Sequence, residues 1–423
     1  MAQTEEHSVS VWRLLKRQPM ALLWVLGPGL VAGASDIDPT TVATLAVIGS
    51  TTTFGLAWLM VLVIPMLVVV QVIGAAIGAV CKTGLEDVIR THYGMAGGLL
   101  ALFLVLGVNI ITLGADLEGG GAALSLLTGW PYQWFIIPFA AIVGGLLVIG
   151  SYNAVQRVLR YVLLVFLAYI AAAFLAHPNW GQVLHDTLVP HLSFSSNYIS
   201  GALALLGTTL TSYAYVWETI ETAQERPPLH RLGLVQLDAG LGMVAAGIIC
   251  YFIVVATGAT LGVHHKTVQT AQDAAAALAP VAGQMASVVF GIGLLASAVL
   301  AVPVLAGTSA YVMAEAFGWR GDLDARFSHA PAFYVALLLS LTAGVGITLA
   351  GVSPIQLLFF SSLAAGLATP VTLAFMMLAA RNPNAMGKHR VGRGLAIAGW
   401  LVTLVVSAAS LIYLLQQVFP NGL

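Results

Sequence analysis

Charged residues are scarce in this sequence. Asp, Glu, Lys and Arg make up 8% of the 423 residues, whereas soluble domains contain about 25% of them. Apolar residues reach 59% and form successive runs that, as helices, are long enough to cross a hydrocarbon core of about 30 Å. Strand-length alternation of polar and apolar residues is absent, which excludes an outer-membrane barrel. The composition therefore predicts an all-α, multi-pass integral membrane protein.

Cysteine is scarce as well, and no cleaved leader is expected. Cys81 and Cys250 lie in or at the end of apolar runs, where packing is the expected role rather than a disulfide or a metal site. The apolar run after residues 1–21 is too long for a signal-peptide core. The formal net charge is −1, and we expect the lipid bilayer, not a nucleic acid, as the partner of the chain.

Eleven membrane spans are predicted from the apolar runs between polar residues, prolines and glycines. They lie near residues 22–50, 54–81, 97–127, 132–150, 156–176, 199–222, 235–260, 277–317, 331–350, 354–380 and 394–418. With the N-terminus inside, the predicted cytoplasmic segments hold every Lys and Arg except Lys266, as the positive-inside rule requires. We therefore predict a cytoplasmic N-terminal segment, 1–21, a single transmembrane domain, 22–423, and an external C-terminus in a bacterial-type plasma membrane.

Several acidic residues lie inside the predicted spans without a basic neighbour. They are Asp36, Asp38, Asp116, Glu118 and Glu218. An ionised carboxylate at mid-bilayer costs roughly 2.5–3.5 kcal/mol on insertion scales. Because the basic residues lie in loops or at span ends, protons or metal cations must neutralise these acids. This asymmetry predicts a cation transporter.

The first span is interrupted by Pro39, which follows Asp38 directly. A proline removes a helical hydrogen bond and frees nearby carbonyls, which a membrane tolerates where they line a cavity or bind an ion. We therefore expect Asp38 to bind the cation beside unpaired backbone oxygens, with Asp36 on the path. A plain proline kink with a hydrogen-bonded aspartate is the alternative.

The sixth span carries a matching hydroxyl-rich stretch at residues 207–213. Spans one and six occupy corresponding places in two five-helix halves and cross in opposite directions, which indicates an inverted-repeat transporter with its site at the midplane. The repeats would comprise about 22–176 and about 199–380, followed by an extra helix at about 394–418. The hydroxyls can instead bond their own helix or pack a helix interface.

Further acids are predicted to line the path. Glu218, Glu221 and Glu225 are spaced to share one helix face, and we expect the first two to line an inner vestibule. A solvated acidic helix end is the alternative for Glu221 and Glu225. Asp116 and Glu118 are two positions apart, so only one of them can face the path on a regular helix.

These motifs resemble the Nramp family of divalent-metal transporters, which has the LeuT-type architecture of two inverted five-helix repeats. The similarity includes Gly-Pro-Gly before Asp38-Pro39, the Asp116-Leu117 pair and the Gln224/Arg226 end of the sixth span. The family's first helix supplies Asp-Pro-Gly-Asn to the metal, so Asp38 matches the aspartate and Thr41 stands at the asparagine. The third-helix acid expected three residues after Asp116 is replaced by Gly119.

The family's sixth helix supplies Ala-x-x-Met followed by Pro-His. A gapless alignment places Thr209 at the alanine, Ser212 at the methionine, Tyr213 at the proline and Ala214 at the histidine. Methionine sulfur favours softer metals, whereas oxygen ligands suit Mg²⁺, Ca²⁺ and Mn²⁺. The resemblance thus implies an oxygen-only metal site made of Asp38, Thr41, Thr209 and Ser212.

The loss of the methionine and histidine is similar to the pattern of the Nramp-related magnesium transporters. This resemblance implies that Mg²⁺, and also Mn²⁺, is the transported substrate, without proton coupling and without a permanent cofactor. The main alternative is a proton-coupled Mn²⁺ or Fe²⁺ importer, in which Asp116 and Glu118 would exchange protons.

Two further alternatives belong to other classes. An amino-acid or organic-solute carrier of the same fold would present helix N-termini or a basic group to its substrate, whereas this interior presents acids. An intramembrane aspartyl protease could pair Asp38 with Asp116, but no nucleophile or oxyanion constellation is visible. No enzyme is therefore expected. The oligomeric state is not indicated by the sequence.

Overall fold

The computed structural model describes residues 33, 37–149, 162–321, 323, 325 and 327–419, without the side chains of 162–165. The described residues form helices and connecting turns, with no β-strand among them. The α-helices are α1 (Pro39–Thr52), α2 (Ala57–Cys81), α3 (Leu85–Thr128), α4 (Gln133–Ile149), α5 (Val162–Leu175), α6 (Trp180–Leu188), α7 (Ser196–Thr209), α8 (Ser212–Glu225), α9 (Leu232–Thr260), α10 (Ala271–Ala276), α11 (Ala279–Ala282), α12 (Ala286–Phe317), α13 (Pro331–Thr348), α14 (Pro354–Arg381), α15 (Pro383–Met386) and α16 (Arg393–Val418).

The helices match the predicted spans. Eight helical segments of the described chain are long and apolar enough to cross a membrane, and two shorter apolar helices occupy the positions of the fourth and fifth predicted spans. α1 corresponds to the second half of the first span. Asp36 and the segment 1–21 lie outside the described residues.

Helix α3 starts earlier than the sequence predicts. Its 44 residues are interrupted at Gly94, whose φ of 82° lies in a region that only glycine adopts at little cost. The predicted span near 97–127 corresponds to the part of α3 after this break. The part before it holds the charged residues Glu86, Asp87 and Arg90. Because of these charges, this part does not form an apolar run in the sequence.

Large apolar side chains are exposed on the outer helices. Examples are Phe103 of α3, Ile137 of α4 and Leu404 of α16, each more than half exposed. A contiguous apolar surface of this kind is typical of a face that contacts lipid. The central helices are α1, α7 and α8, which have few exposed side chains.

Close packing of the central helices depends on glycine. A Cβ atom on Gly207 of α7 would lie 2.0 Å from the carbonyl oxygen of Ser362 in α14. Small residues allow transmembrane helices to approach each other closely. The packing of α7 against α14 brings the end of α7 to the centre of the molecule, beside α1.

Candidate metal site at two helix breaks

Asp38 caps the helix that starts at the first break. Its backbone is extended, and its carboxylate accepts a hydrogen bond from the Thr41 amide at 2.6 Å. Pro39 is the first helical residue, where the missing N–H would have no intrahelical partner. The sequence Asp-Pro-Thr-Thr therefore provides both a capping side chain and a proline at the first position of α1. Asp38 is only 2% exposed.

The sequence predicts unpaired backbone oxygens at this break, but the Ile37 carbonyl has a hydrogen-bond partner. The hydroxyl of Ser297 in α12 donates to the Ile37 carbonyl at 2.6 Å. A buried carbonyl without a partner would be costly, and a neighbouring helix removes that cost. A side chain from another part of the chain thus supplies the hydrogen bond that the helix does not make at the first break.

The second break lies between α7 and α8, within the hydroxyl-rich stretch. Thr211 has an extended backbone, and the Leu210 carbonyl accepts a hydrogen bond from Thr369 of α14 at 3.2 Å. Thr211 precedes α8 but makes no side-chain capping bond. The hydroxyls of Thr211 and Ser212 are buried and have no hydrogen-bond partner among the described residues. These two oxygens are available to a ligand.

The two breaks are in direct contact. The Tyr213 hydroxyl of α8 donates to Asp38 Oδ2 at 2.8 Å, and the hydroxyls of Thr41 and Thr208 lie 2.9 Å apart. Sequence reasoning selected Asp38 and Thr41 but not Tyr213. The only indication was a phenol directly after Ser212, at the position aligned with the family's proline.

Asp116 of α3 holds the start of α1 from the other side. Its Oδ1 accepts from the Thr40 amide at 3.1 Å and from the Thr40 hydroxyl at 2.7 Å. One turn later, a Cβ atom on Gly119 would lie 2.7 Å from Cβ of Pro39. Glycine at this position therefore lets α3 approach α1. The second oxygen of Asp116 has no hydrogen-bond partner among the described residues.

Glu118 lies on a different face of α3 from Asp116. Glu118 is buried, and its charge acts on Tyr132, just before α4. Only Asp116 of the pair contacts α1, as the spacing of two residues predicts for a regular helix.

Thr209, a predicted ligand, bonds within its own helix. Its hydroxyl donates to the Leu205 carbonyl at 2.7 Å, which is a common arrangement for threonine in helices. The hydroxyl of Ser212, in contrast, has no such bond. Thr41 also has a hydroxyl partner, Thr208, so of the three predicted hydroxyl ligands only Ser212 has no hydrogen-bond partner among the described residues.

A cavity of about 660 Å³ lies at the ends of α2, α8 and α12. Ile220 and Gln224 of α8 line it, and their spacing from Tyr213 and Trp217 puts all four on one helix face. The Trp217 ring packs against the Tyr311 ring with centroids 6.2 Å apart. Tyr311 of this aromatic pair also lines the cavity.

The acids of α8 do not line this cavity, although Glu218 and Glu221 were expected there. They share a face with Glu225, and this face lies within electrostatic range of Asp238 in α9. Neither Glu218 nor Glu221 is among the residues that line the cavity. Asp87 and Glu315 line it instead, and Glu315 accepts hydrogen bonds from the amides at the start of α3.

Comparisons with known proteins agree with the family resemblance. Residues 29–416 match the Nramp profile, described as natural resistance-associated macrophage protein-like. The divalent metal cation transporter MntH of Deinococcus radiodurans is 26% identical over 410 residues, covering 92% of this chain and 88% of that protein. MntH of Clostridium acetobutylicum is 26% identical over 424 residues, covering 96% and 93%.

Solved structures share the fold. A crystal structure of an Eremococcus coleocola manganese transporter, in complex with an aromatic bis-isothiourea substituted compound, superposes with a TM-score of 0.70 at 18% identity, covering 98% of this chain and 88% of that one. MhsT in complex with L-phenylalanine gives 0.60 at 16% identity, covering 92% and 98%. These likenesses confirm the predicted LeuT-type fold.

Proposed function

The chain belongs to the Nramp family, and we propose that it carries a divalent metal cation across the membrane through the two helix breaks. The observation that carries this proposal is a buried carboxylate, Asp38, which has no basic partner among the residues that the structure describes. The ion pairs among the described residues join Arg90 to Asp87 and His185 to Asp186, so a cation from outside the chain must balance the charge of Asp38.

Membership of this family decides between the classes of function. Its relatives are transporters, so the intramembrane hydrolase is rejected and the chain is not an enzyme. The metal is the transported substrate and not a resident cofactor.

Mn²⁺ is the substrate that we propose first. The related proteins described above are called divalent metal cation or manganese transporters, which favours the manganese-type main branch over the magnesium-related one. The oxygen donors of Asp38, Thr41 and Ser212 are compatible with Mn²⁺. Proton coupling, with Asp116 and Glu118 as the exchanging groups, belongs to this proposal.

Mg²⁺ remains the second candidate because of the ligand types at the second break. Ser212 and Ala214 stand where the family has methionine and histidine. Mg²⁺ binds through one or two carboxylates and keeps several waters, and a site with one carboxylate and small hydroxyls suits that mode. The Mg²⁺ preference and the absence of coupling stay predictions from the sequence.

We also propose a route for the metal. The cation binds at Asp38, where the ends of α1 and α8 meet, and displacement of the Trp217–Tyr311 pair opens a way to the cavity. The predicted orientation puts this cavity on the cytoplasmic side. A membrane potential then favours inward movement by about 2.3 kcal/mol per charge for each 100 mV. The division into repeats near 22–176 and 199–380 and an extra helix near 394–418 is part of the same proposal.

Flux into proteoliposomes tests the proposal. Mn²⁺ and Mg²⁺ entry would be recorded with an internal metal indicator, and internal pH with a second dye, for the intact chain and for Asp38→Ala. We expect saturable Mn²⁺ entry that Asp38→Ala abolishes. Equal flux in both proteins, or no divalent flux in either, would overturn the proposal.

The same experiment separates the two candidate metals. Acidification of the lumen during Mn²⁺ entry supports the proton-coupled main branch. Constant internal pH, together with suppression of Mn²⁺ entry by excess Mg²⁺, supports the magnesium reading. Asp116→Asn and Glu118→Gln would then show which acid exchanges the proton, because each removes one titratable group.

A further inference from the structure

Tyr213 contacts the carboxylate at the centre of the proposed site. It is the second residue of α8, is 1% exposed, and donates its hydroxyl proton to Asp38 Oδ2 at 2.8 Å. The other oxygen of Asp38 accepts the Thr41 amide at 2.6 Å. Each carboxylate oxygen therefore already has at least one hydrogen-bond donor before any metal binds.

These donors limit how Asp38 can bind a cation. An ionised carboxylate offers about four lone-pair sites, and the Thr41 amide, the Thr41 hydroxyl and the Tyr213 hydroxyl all donate to Asp38. Chelation of one ion by both oxygens needs a free, correctly directed lone pair on each. The hydroxyl of Tyr213 competes for Oδ2, whereas an ion bound through one oxygen alone leaves the hydrogen bond of Tyr213 intact.

Divalent cations differ in how much they need chelation. Ca²⁺ takes six to eight oxygen ligands and often binds a carboxylate through both oxygens. Mg²⁺ prefers a tight octahedron with one or two carboxylates and water, and Mn²⁺ also accepts octahedral oxygen coordination. A constraint that keeps Asp38 to one oxygen therefore penalises Ca²⁺ most.

We propose that Tyr213 is a selectivity-determining residue that acts through Asp38. Its hydrogen bond restricts Asp38 to binding through a single oxygen, and the site thereby discriminates against Ca²⁺. This inference rests on the proposed function, since it concerns the same metal site. It does not depend on whether Mn²⁺ or Mg²⁺ is the natural substrate.

Helix α8 provides a matched control. Tyr215 is also buried, but its hydroxyl pairs with Thr372 of α14 and not with Asp38. Replacing either tyrosine by phenylalanine removes one buried hydroxyl from the same helix. Only the change at Tyr213 frees an oxygen of Asp38, so a difference between the two variants reports on the carboxylate and not on the general loss of a hydrogen bond.

The experiment is Mn²⁺ flux into proteoliposomes with increasing Ca²⁺, for the intact chain, Tyr213→Phe and Tyr215→Phe. In Tyr213→Phe we expect the ratio of the Ca²⁺ inhibition constant to the Mn²⁺ KM to fall about tenfold, since a hydrogen bond to a charged group has been removed. Tyr215→Phe should keep the ratio of the intact chain.

Two results would overturn the inference. One is an unchanged ratio in Tyr213→Phe; the other is an equal shift in both variants, which would mean that Tyr213 has only a structural role. If Tyr213→Phe does not give a monodisperse protein, Tyr213→Leu also lacks the hydroxyl and must show the same shift. Absence of Mn²⁺ flux from the intact chain and from Tyr215→Phe would instead refute the proposed function.

Discussion

The two helix breaks share one device and differ in another. At each break, a hydroxyl from a distant helix donates a hydrogen bond to a carbonyl that the break leaves without a helical partner. Ser297 donates to Ile37, and Thr369 donates to Leu210. The helix that follows the first break is capped by a charged side chain, whereas Thr211 makes no side-chain capping bond at the second. The described part of the first break carries a charged, hydrogen-bonded carboxylate, and the second break is neutral with two hydroxyls that have no hydrogen-bond partner among the described residues.

This difference suggests that the two breaks make different contributions to one metal site. The first break supplies the negative charge that attracts a cation. The second supplies neutral ligands, whose chemical type decides which cation fits. Tyr213 joins the two because it extends from the neutral break to the charged one. Removing charge should thus abolish binding, and changing the neutral ligands should alter selectivity.

The largest effect is expected from Asp38→Asn, which keeps the shape of the side chain and removes its charge. Two unit charges 4 Å apart attract by about 4 kcal/mol at an effective dielectric constant of 20, so we expect Mn²⁺ binding to weaken by more than about 100-fold. Binding isotherms on detergent-solubilised protein measure this. Asp116→Asn is the control, because Asp116 bonds to α1 and should cost less. Comparable losses of Mn²⁺ binding in both variants would contradict the assignment of the attracting charge to Asp38.

A change of selectivity is expected from Ser212→Met, which restores the family's thioether at the second break. Because sulfur favours soft cations, we expect the affinity for Cd²⁺ relative to Mn²⁺ to rise about tenfold. Ser212→Leu has similar bulk without sulfur and should weaken both ions. Competition between Cd²⁺ and Mn²⁺ for binding provides the ratio. If the leucine and methionine variants have equal ratios, Ser212 does not contact the metal.

Much of this fold was predictable from local sequence. Apolar length located the spans, and Asp38-Pro39 located the first break because an aspartate cap followed by proline is a local arrangement. The start of α3 was missed because its first residues are charged and Gly94 separates them from the apolar part.

The partners across the site were not predictable. Tyr213 lies 175 positions from Asp38 in the chain, and Ser297 lies 260 positions from Ile37. Contacts over such separations depend on how helices rotate and pack, which the helical period alone does not determine. For the same reason, the cavity is lined by Glu315 and not by Glu218.

A smaller effect on stability is expected from the two hydroxyls that bind the break carbonyls. Ser297→Ala removes the donor to the Ile37 carbonyl and should lower the free energy of unfolding by about 1 kcal/mol or more. Thr369→Val removes a hydroxyl that is shared between the Leu210 carbonyl and the Ala365 carbonyl of its own helix, and it should also lower this free energy. Thermal unfolding in detergent measures this effect in both variants. Ser340→Ala is the control, because the Ser340 hydroxyl bonds its own helix. A larger loss at Ser297 than at Thr369 would show that the charged break depends more on its partner helix.

The smallest effect is expected from Thr209→Val, although the family alignment places Thr209 in the metal site. The hydrogen bond from Thr209 to the Leu205 carbonyl holds its hydroxyl against its own helix, so we expect Mn²⁺ affinity to change by less than about twofold. The neighbouring Thr208→Val is the matched control, because the Thr208 hydroxyl bonds Thr41 across the breaks and its loss should weaken binding several-fold. The opposite order, with Thr209→Val the more damaging change, would make Thr209 a metal ligand and would move the neutral half of the site one turn back into α7.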